Sequence, residues 1–154
     1  MKIRAWRILH AKYAQDAFSG EGAFKYGGRW NSIGVRVVYT AQSIALATLE
    51  ILAGGAPMSL LGDFVKIPVD FDDLSVHLPS KLPEQWNIYP PSRKAKELGD
   101  AWVKESKSVV LKAPSAVIQE EFIYIINPLH QNAHKSLHIG TTQKFHVDTR
   151  IKSI

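Results

Sequence analysis

Residues 26–55, YGGRWNSIGVRVVYTAQSIALATLEILAGG, hold three kinds of chain in succession. A glycine pair delivers Arg29, Trp30 and Asn31, a β-branched run ends in Tyr39 and Thr40, and an alanine- and leucine-rich stretch closes on a second glycine pair. Branched and aromatic side chains pack well on a pleated surface, so Val35 to Thr40 reads as a strand. The stretch after it predicts a helix over 42–52, with Ser43 as its N-cap and Gly54-Gly55 as its stop. The glycine turn has two readings: an ordinary reversal, or the wall of an anion pocket in which glycine lets the backbone come close to the ligand.

The rest of the chain supplies mostly strands. Ile3–Leu9 is a short mixed apolar and basic run, and FVKIPVDF (64–71) alternates like a strand in which Pro68 marks an edge or a bulge. Ser108–Leu111 and Phe122–Ile126 are further strands, the first ending in an Ala113-Pro114-Ser115 turn and the second in Asn127-Pro128. Leu137–Ile139 and Phe145–Ile151 read as a strand pair across Gly140-Thr141-Thr142. A helix fits Lys94–Glu105, whereas the glycine-rich 16–34 and the proline-rich 80–92 read as loop. Strands with irregularly placed helices indicate an α+β fold rather than a doubly wound one, as a single compact domain over 1–154.

The 154 residues, 45% hydrophobic and 10% aromatic, suffice for one core. No run approaches the roughly 18–20 apolar residues of a membrane helix, and the start lacks a signal-peptide pattern, so a cytoplasmic location without membrane contact is expected. The absence of cysteine excludes disulfides, zinc–thiolate sites and cysteine nucleophiles. A net charge of +5 and a pI near 9.5 favour an anionic ligand, nucleic acid or an acidic protein partner. Because the basic residues are scattered rather than in blocks, a local phosphate site fits better than a nucleic-acid arm.

Individual residues each carry a structural and a functional reading. Glu50 stands near the C-terminal end of an apolar helix, where the helix dipole disfavours a carboxylate by about 0.3–1 kcal/mol. It is either a solvated last-turn residue or a carboxylate aimed into a cleft. Arg7 and Arg29 offer planar forks that match phosphate oxygens, or form ordinary ion pairs. Gly28 beside Arg29 permits close backbone approach. Tyr39 is a core residue or a ring facing a ligand, and Ser115 a turn hydroxyl or a polar contact. His130, His134 and His138 have the spacing of one helical face, but their segment follows Asn-Pro and passes into a strand. The nucleophile elbow, the Walker loop and the dinucleotide-binding glycine fingerprint are all absent.

Taken together, WRI at 6–8, FSGEGAFKYGGRWNSIGVRVVYTAQSIALATLE at 18–50, APSAVIQEEFIYIINPLH at 113–130 and FHVDTRI at 145–151 resemble the RES-domain family, the toxins of RES–Xre toxin–antitoxin systems. The resemblance implies a fold similar to ADP-ribosyltransferase toxins and an activity that consumes NAD+ as substrate, with no prosthetic group and no metal. It implies Glu50, Arg29, Tyr39 and Ser115 as catalytic residues, and Arg7, Gly28, Arg29, Tyr39, Ser115 and Asn127 as NAD+-binding ones. The chain departs from the family at Ile123, where an asparagine is usual.

The implied reaction is cleavage of the nicotinamide–ribose bond, with water or phosphate as acceptor, and ADP-ribosylation of a protein as the alternative. Nicotinamide leaves as a neutral molecule while the ribose becomes oxocarbenium-like, so a carboxylate beside the sugar stabilises the charge that develops. The implied partner is an Xre-type antitoxin in a hetero-oligomer, with no direct nucleic-acid contact by the toxin. From another class, a small basic chain also suits an RNA-binding module or ribonuclease toxin, against which stand the scattered charge and the lack of a stacked aromatic platform.

Overall fold

The computed structural model describes residues 1–56 and 62–151, so 57–61 and the last three positions of the expected 1–154 domain lie outside the described residues. In chain order the elements are β1 (Lys2–His10), a 3-10 turn (Ala11–Asp16), α1 (Glu21–Tyr26), β2 (Val38–Ala41), α2 (Ile44–Ala53), β3 (Phe64–Asp72), a second 3-10 turn (Asp73–Ser75) and β4 (Val76–His77). Then come α3 (Arg93–Glu105), β5 (Val110–Pro114), β6 (Phe122–Ile126), α4 (Ala133–Ser136), β7 (His138–Ile139) and β8 (Gln143–Lys144). The strands form one mixed sheet in the order β4-β5-β6-β2-β1-β3-β7, with β8 also paired to β3. The β4–β5 ladder is parallel and the other described ladders are antiparallel, so the α+β fold class expected from the strand pattern holds.

Two apolar layers sandwich this sheet, as strand alternation dictates. In β6, Ile123 and Ile125 join Ile8, Trp30, Leu46, Ala47, Trp102 and Leu111 under α2 and α3. Tyr124 and Ile126 face the other way, towards Ala5, Val38, Val69, Phe71 and Val110. That is why FIYII is apolar at successive positions rather than alternating.

The ladders are uneven, and the unevenness makes the site. β1 and β3 are in register from Lys2↔Asp72 to His10↔Phe64. β1 and β2 share only the pair Trp6↔Ala41 and then diverge. The Tyr39 carbonyl, two residues along β2, is left without a strand partner on that side, and the Arg7 guanidinium of β1 supplies one at 3.1 Å.

Several expectations are corrected. The segment 16–34 is not all loop, because Glu21–Tyr26 forms α1; the glycines that read as loop are its ends, Gly20 at φ 78° and Gly27 at φ 70°. The strand after the glycine turn is β2 at 38–41 rather than 35–40, because the Gly34 N–H donates to the Phe24 carbonyl at 2.8 Å and the Val35 N–H to that of Ser32 at 3.1 Å, which holds this stretch in the loop. β5 runs through Ala113 and Pro114, read as a turn; β4 pairs β5 only at Val110 and Leu111, so no ladder bond is asked of the proline. β7 and β8 do not pair with each other but with two stretches of β3, which leaves Phe145–Ile151 outside the sheet. Pro68 lies between those stretches with its carbonyl accepting the Gly140 N–H at 2.8 Å, so its missing N–H faces the sparsely paired outer side. The histidines do not share a helical face: His130 is buried in a turn with Nε2 2.9 Å from the Ser106 carbonyl, His134 lies in α4 and His138 in β7.

Candidate active site

A cleft of about 500 Å3 opens where β1 and β2 diverge, within the range of about 300–1,000 Å3 usual for small-molecule sites. Its walls are Trp6, Arg7 and Ile8 of β1, Tyr39 to Ala41 of β2, and Ala47, Glu50 and Ile51 of α2, closed by the glycine-rich loop 27–29 and by Ala116 and Ile123. The lining therefore holds the charged residues Arg7, Arg29 and Glu50, and none of the ion pairs among the described residues involves any of them. Two guanidiniums against one carboxylate leave an excess of positive charge, as a site for an anion requires.

Glu50 reaches the cleft because of how α2 starts. The Ser43 hydroxyl accepts the Leu46 N–H at 3.0 Å, which fixes the helix phase so that Leu46 and Ala47 are buried and Glu50, one turn further on, lies at the cleft edge. There Ser115 Oγ donates to Glu50 Oε1 at 2.6 Å. Ser115 is itself fully buried, and its Oγ accepts the N–H groups of Val117 at 3.0 Å and Ile118 at 3.1 Å. A hydroxyl that accepts two main-chain N–H groups has its own proton aimed elsewhere, and here that direction is the carboxylate. The structure thus brings Glu50 and Ser115 together, with Glu50 itself lining the cleft. Ser115 touches Glu50 without lining the cavity.

Arg7 is half-buried beside carbonyls instead of a carboxylate. Its Nε donates to the Ala17 carbonyl at 2.5 Å and a terminal nitrogen to Tyr39 at 3.1 Å. Burial pushes the guanidinium down to about 10, so it stays charged at neutral pH. Arg29 sends one terminal nitrogen to the carbonyls of Trp86 at 2.9 Å and Ile88 at 2.6 Å, which ties the irregular 80–92 segment to the cleft wall. Both arginines are held by neutral acceptors and keep their full charge for a ligand.

Tyr39 has its hydroxyl committed: it accepts the Trp30 N–H at 3.0 Å and donates to Asn31 Oδ1 at 2.7 Å. Burial raises the phenol far above its ordinary value, so it remains a donor. A Cβ on Gly28 would lie 2.6 Å from that hydroxyl, so only glycine lets the loop lie on the ring. Trp30 does not face the cleft. It is buried against Trp86, with ring centroids 6.1 Å apart. Asn127 is not brought to the cleft either: it is buried at the end of β6, where Oδ1 accepts the Leu129 N–H at 3.1 Å and shapes the turn. Ile123 stands in the cleft wall as an apolar residue where the resemblance implies an amide.

Four residues that the sequence reading did not single out belong to the site. Trp6 lines the cleft, and Tyr26 stands at its mouth, 81% exposed. Asn31, fully buried, holds the glycine loop through Nδ2 bonds to the carbonyls of Ala23, Ser32 and Val35 at 2.9, 3.2 and 3.0 Å. Lys96 of α3 donates to the Gly28 carbonyl from behind. The signal for Asn31 was a polar side chain inside a run that must be buried; Trp6 and Tyr26 carried none beyond adjacency to Arg7 and to Gly27.

Known proteins of similar sequence and fold show the family. The RES domain family matches residues 4–148. A "Toxin Res" of Photorhabdus laumondii is 36% identical over 95% of both chains. A "Prs ADP-ribosylating toxin" of Sphingobium sp. is 34% identical over 98% of both, and a "Toxin Res" of Yersinia enterocolitica is 30% identical over 96% of this chain and 98% of the relative. The fold is similar to that in the crystal structure of the M. tuberculosis MbcT-MbcA toxin-antitoxin complex, with a TM-score of 0.73 at 19% identity, covering 94% of this chain and 85% of that one. With its family match spanning nearly its whole length, the chain belongs to the RES-domain toxin family.

Proposed function

We propose that the chain is the toxin of a toxin–antitoxin pair, and that its cleft cleaves the nicotinamide–ribose bond of NAD+ with water or phosphate as acceptor. What supports the reading above all is Glu50: a carboxylate aligned by a buried serine, in a cleft whose other charges are two arginines without carboxylate partners. Arg7 and Arg29 neutralise the pyrophosphate and so fix the dinucleotide. As the bond between C1′ and the nicotinamide nitrogen breaks, its electron pair leaves with the nitrogen and the ribose acquires oxocarbenium character. Glu50, held by Ser115, places negative charge beside it. Water or phosphate then bonds to C1′, and the proton of an attacking water is lost to solvent. Tyr39 meets the cleft through its ring, because its hydroxyl is occupied in holding the loop.

An Xre-type antitoxin is the proposed partner and the cytoplasm the proposed location; among the described residues no helix is long and apolar enough to cross a membrane. A second reading, transfer of ADP-ribose to a protein, is favoured by the relative named as an ADP-ribosylating toxin. One experiment tests both. Purified protein is incubated with NAD+ with and without phosphate, and the adenine-containing products are identified by mass spectrometry. Free ADP-ribose or its 1″-phosphate supports the first reading, and adducts on added protein support the second. Intact NAD+ in every arm overturns both.

A further inference from the structure

The face of α3 that carries Lys96, Gly99 and Asp100 is applied to the back of the glycine loop, opposite the cleft. These positions are spaced as one helical face, and no residue of α3 lines the cavity. Lys96 Nζ donates to the carbonyls of Gly28 and Asn31, the latter at 3.4 Å. A Cβ on Gly99 would lie 1.7 Å from the Trp30 carbonyl oxygen, so that oxygen rests directly on the helix backbone. Asp100 accepts the Ser32 N–H at 2.9 Å and its hydroxyl at 2.5 Å. The main chain from Gly28 to Ser32 is therefore anchored from one side.

The peptide that joins Gly28 to Arg29 differs from its neighbours. The Gly28 N–H goes to the Asn31 carbonyl, the Trp30 N–H to Tyr39 and the Ser32 N–H to Asp100. The Arg29 N–H meets no acceptor among the described residues. In a trans peptide the N–H points opposite to the C=O. Because the Gly28 carbonyl is turned towards Lys96 on α3, the Arg29 N–H is turned away from α3, on the side where Gly28 and Arg29 line the cleft.

We infer that this N–H is a main-chain donor for the bound anion, and that Lys96 is the positioning residue that aims it. Lys96 does so in two ways: it orients the peptide, and its positive charge polarises the carbonyl so that the N–H at the other end becomes a stronger donor. A second donor beside the Arg29 guanidinium fits a pyrophosphate, which presents several oxygens at once, better than a single carboxylate. The inference rests on the NAD+ reading only for the identity of the anion; the donor itself is tested with inorganic pyrophosphate.

The test is a titration of the 15N-labelled protein with inorganic pyrophosphate, followed through the main-chain amide signals, for the native chain, Lys96→Met and Lys96→Arg. The native Arg29 amide is expected to move downfield more than those of Trp30 and Ser32, whose N–H groups are already bonded. Lys96→Met should bind about tenfold more weakly, with Lys96→Arg restoring most of the affinity. In turnover of NAD+ the same loss should fall on KM, with kcat changed little. An Arg29 amide that moves no more than its neighbours in the native protein overturns the inference without need of any variant. So does a folded Lys96→Met that binds pyrophosphate as the native chain does. A native chain that binds pyrophosphate through Arg29 yet leaves NAD+ intact would overturn the proposed reaction and retain the donor.

Discussion

Tyr39 shows how one side chain serves both stability and site. Its hydroxyl satisfies the Trp30 N–H and Asn31 Oδ1, so Tyr39→Phe leaves both buried groups unpaired, at a cost of about 1–3 kcal/mol at neutral pH. The pH dependence has a definite sign. The phenol ionises near pH 10 in the unfolded chain and well above that in the folded one, so the folded state retains a proton that the unfolded state has lost. Native stability therefore falls above about pH 10, by about 1.4 kcal/mol per unit from this group, and Tyr39→Phe lacks that dependence. Urea denaturation of both proteins at pH 9, 10 and 11 should show the gap between them narrowing by about 1 kcal/mol over the last step, in which the unfolded phenol passes from half to almost fully ionised. Glu50 and Ser115 make the complementary point. Each was named from its motif, but the 2.6 Å bond between residues 65 positions apart was legible only once the sheet brought α2 and β5 together.

At the level of elements, α3 and the glycine loop depend on each other through contacts that tolerate no added atom. A methyl on Gly99 meets the Trp30 carbonyl oxygen at 1.7 Å, and because both partners are main chain no rotamer relieves the clash. Gly99→Ala should cost about 3 kcal/mol or more and loosen the loop that carries Arg29. Gly22, in α1, has nothing within 4 Å of its added Cβ and no left-handed φ, so Gly22→Ala should stabilise by about 0.5–1 kcal/mol. Thermal melts of the two variants, moving in opposite directions, would check both. Secondary structure was legible where a periodic run met a cap: α2 lies within two residues of its expected bounds because Ser43 and Gly54 sit at its ends. It was misread where glycines served as caps of a short helix, as in α1, and where a strand end required pairing with a distant edge, as in β8.

For the whole molecule, the cleft exists because the sheet is incomplete at one seam. β1 follows β3 along its length but leaves β2 after Trp6↔Ala41, and the gap is filled from above by α2, from the side by the glycine loop and across by Arg7. If that gap is where NAD+ is destroyed, expression of the chain without its antitoxin should lower cellular NAD+ and arrest growth. Glu50→Gln, which retains the shape and loses the charge, should slow nicotinamide release by about 100-fold or more and relieve the arrest. A luminescent NAD+ assay on cells, beside a melt showing that the variant folds, separates lost chemistry from lost structure. Local chemistry is carried by the sequence: the strand and helix periods, the caps and the charge balance each follow from residue type and near spacing. Which of those groups meet is a matter of long-range pairing. The register of β2 and β5 on β6 placed Ser115 under Glu50, left Asn127 in a turn, turned Trp30 into core and set Lys96 behind the loop. No local pattern specifies such contacts, since they arise where separate elements bury their apolar faces against one sheet.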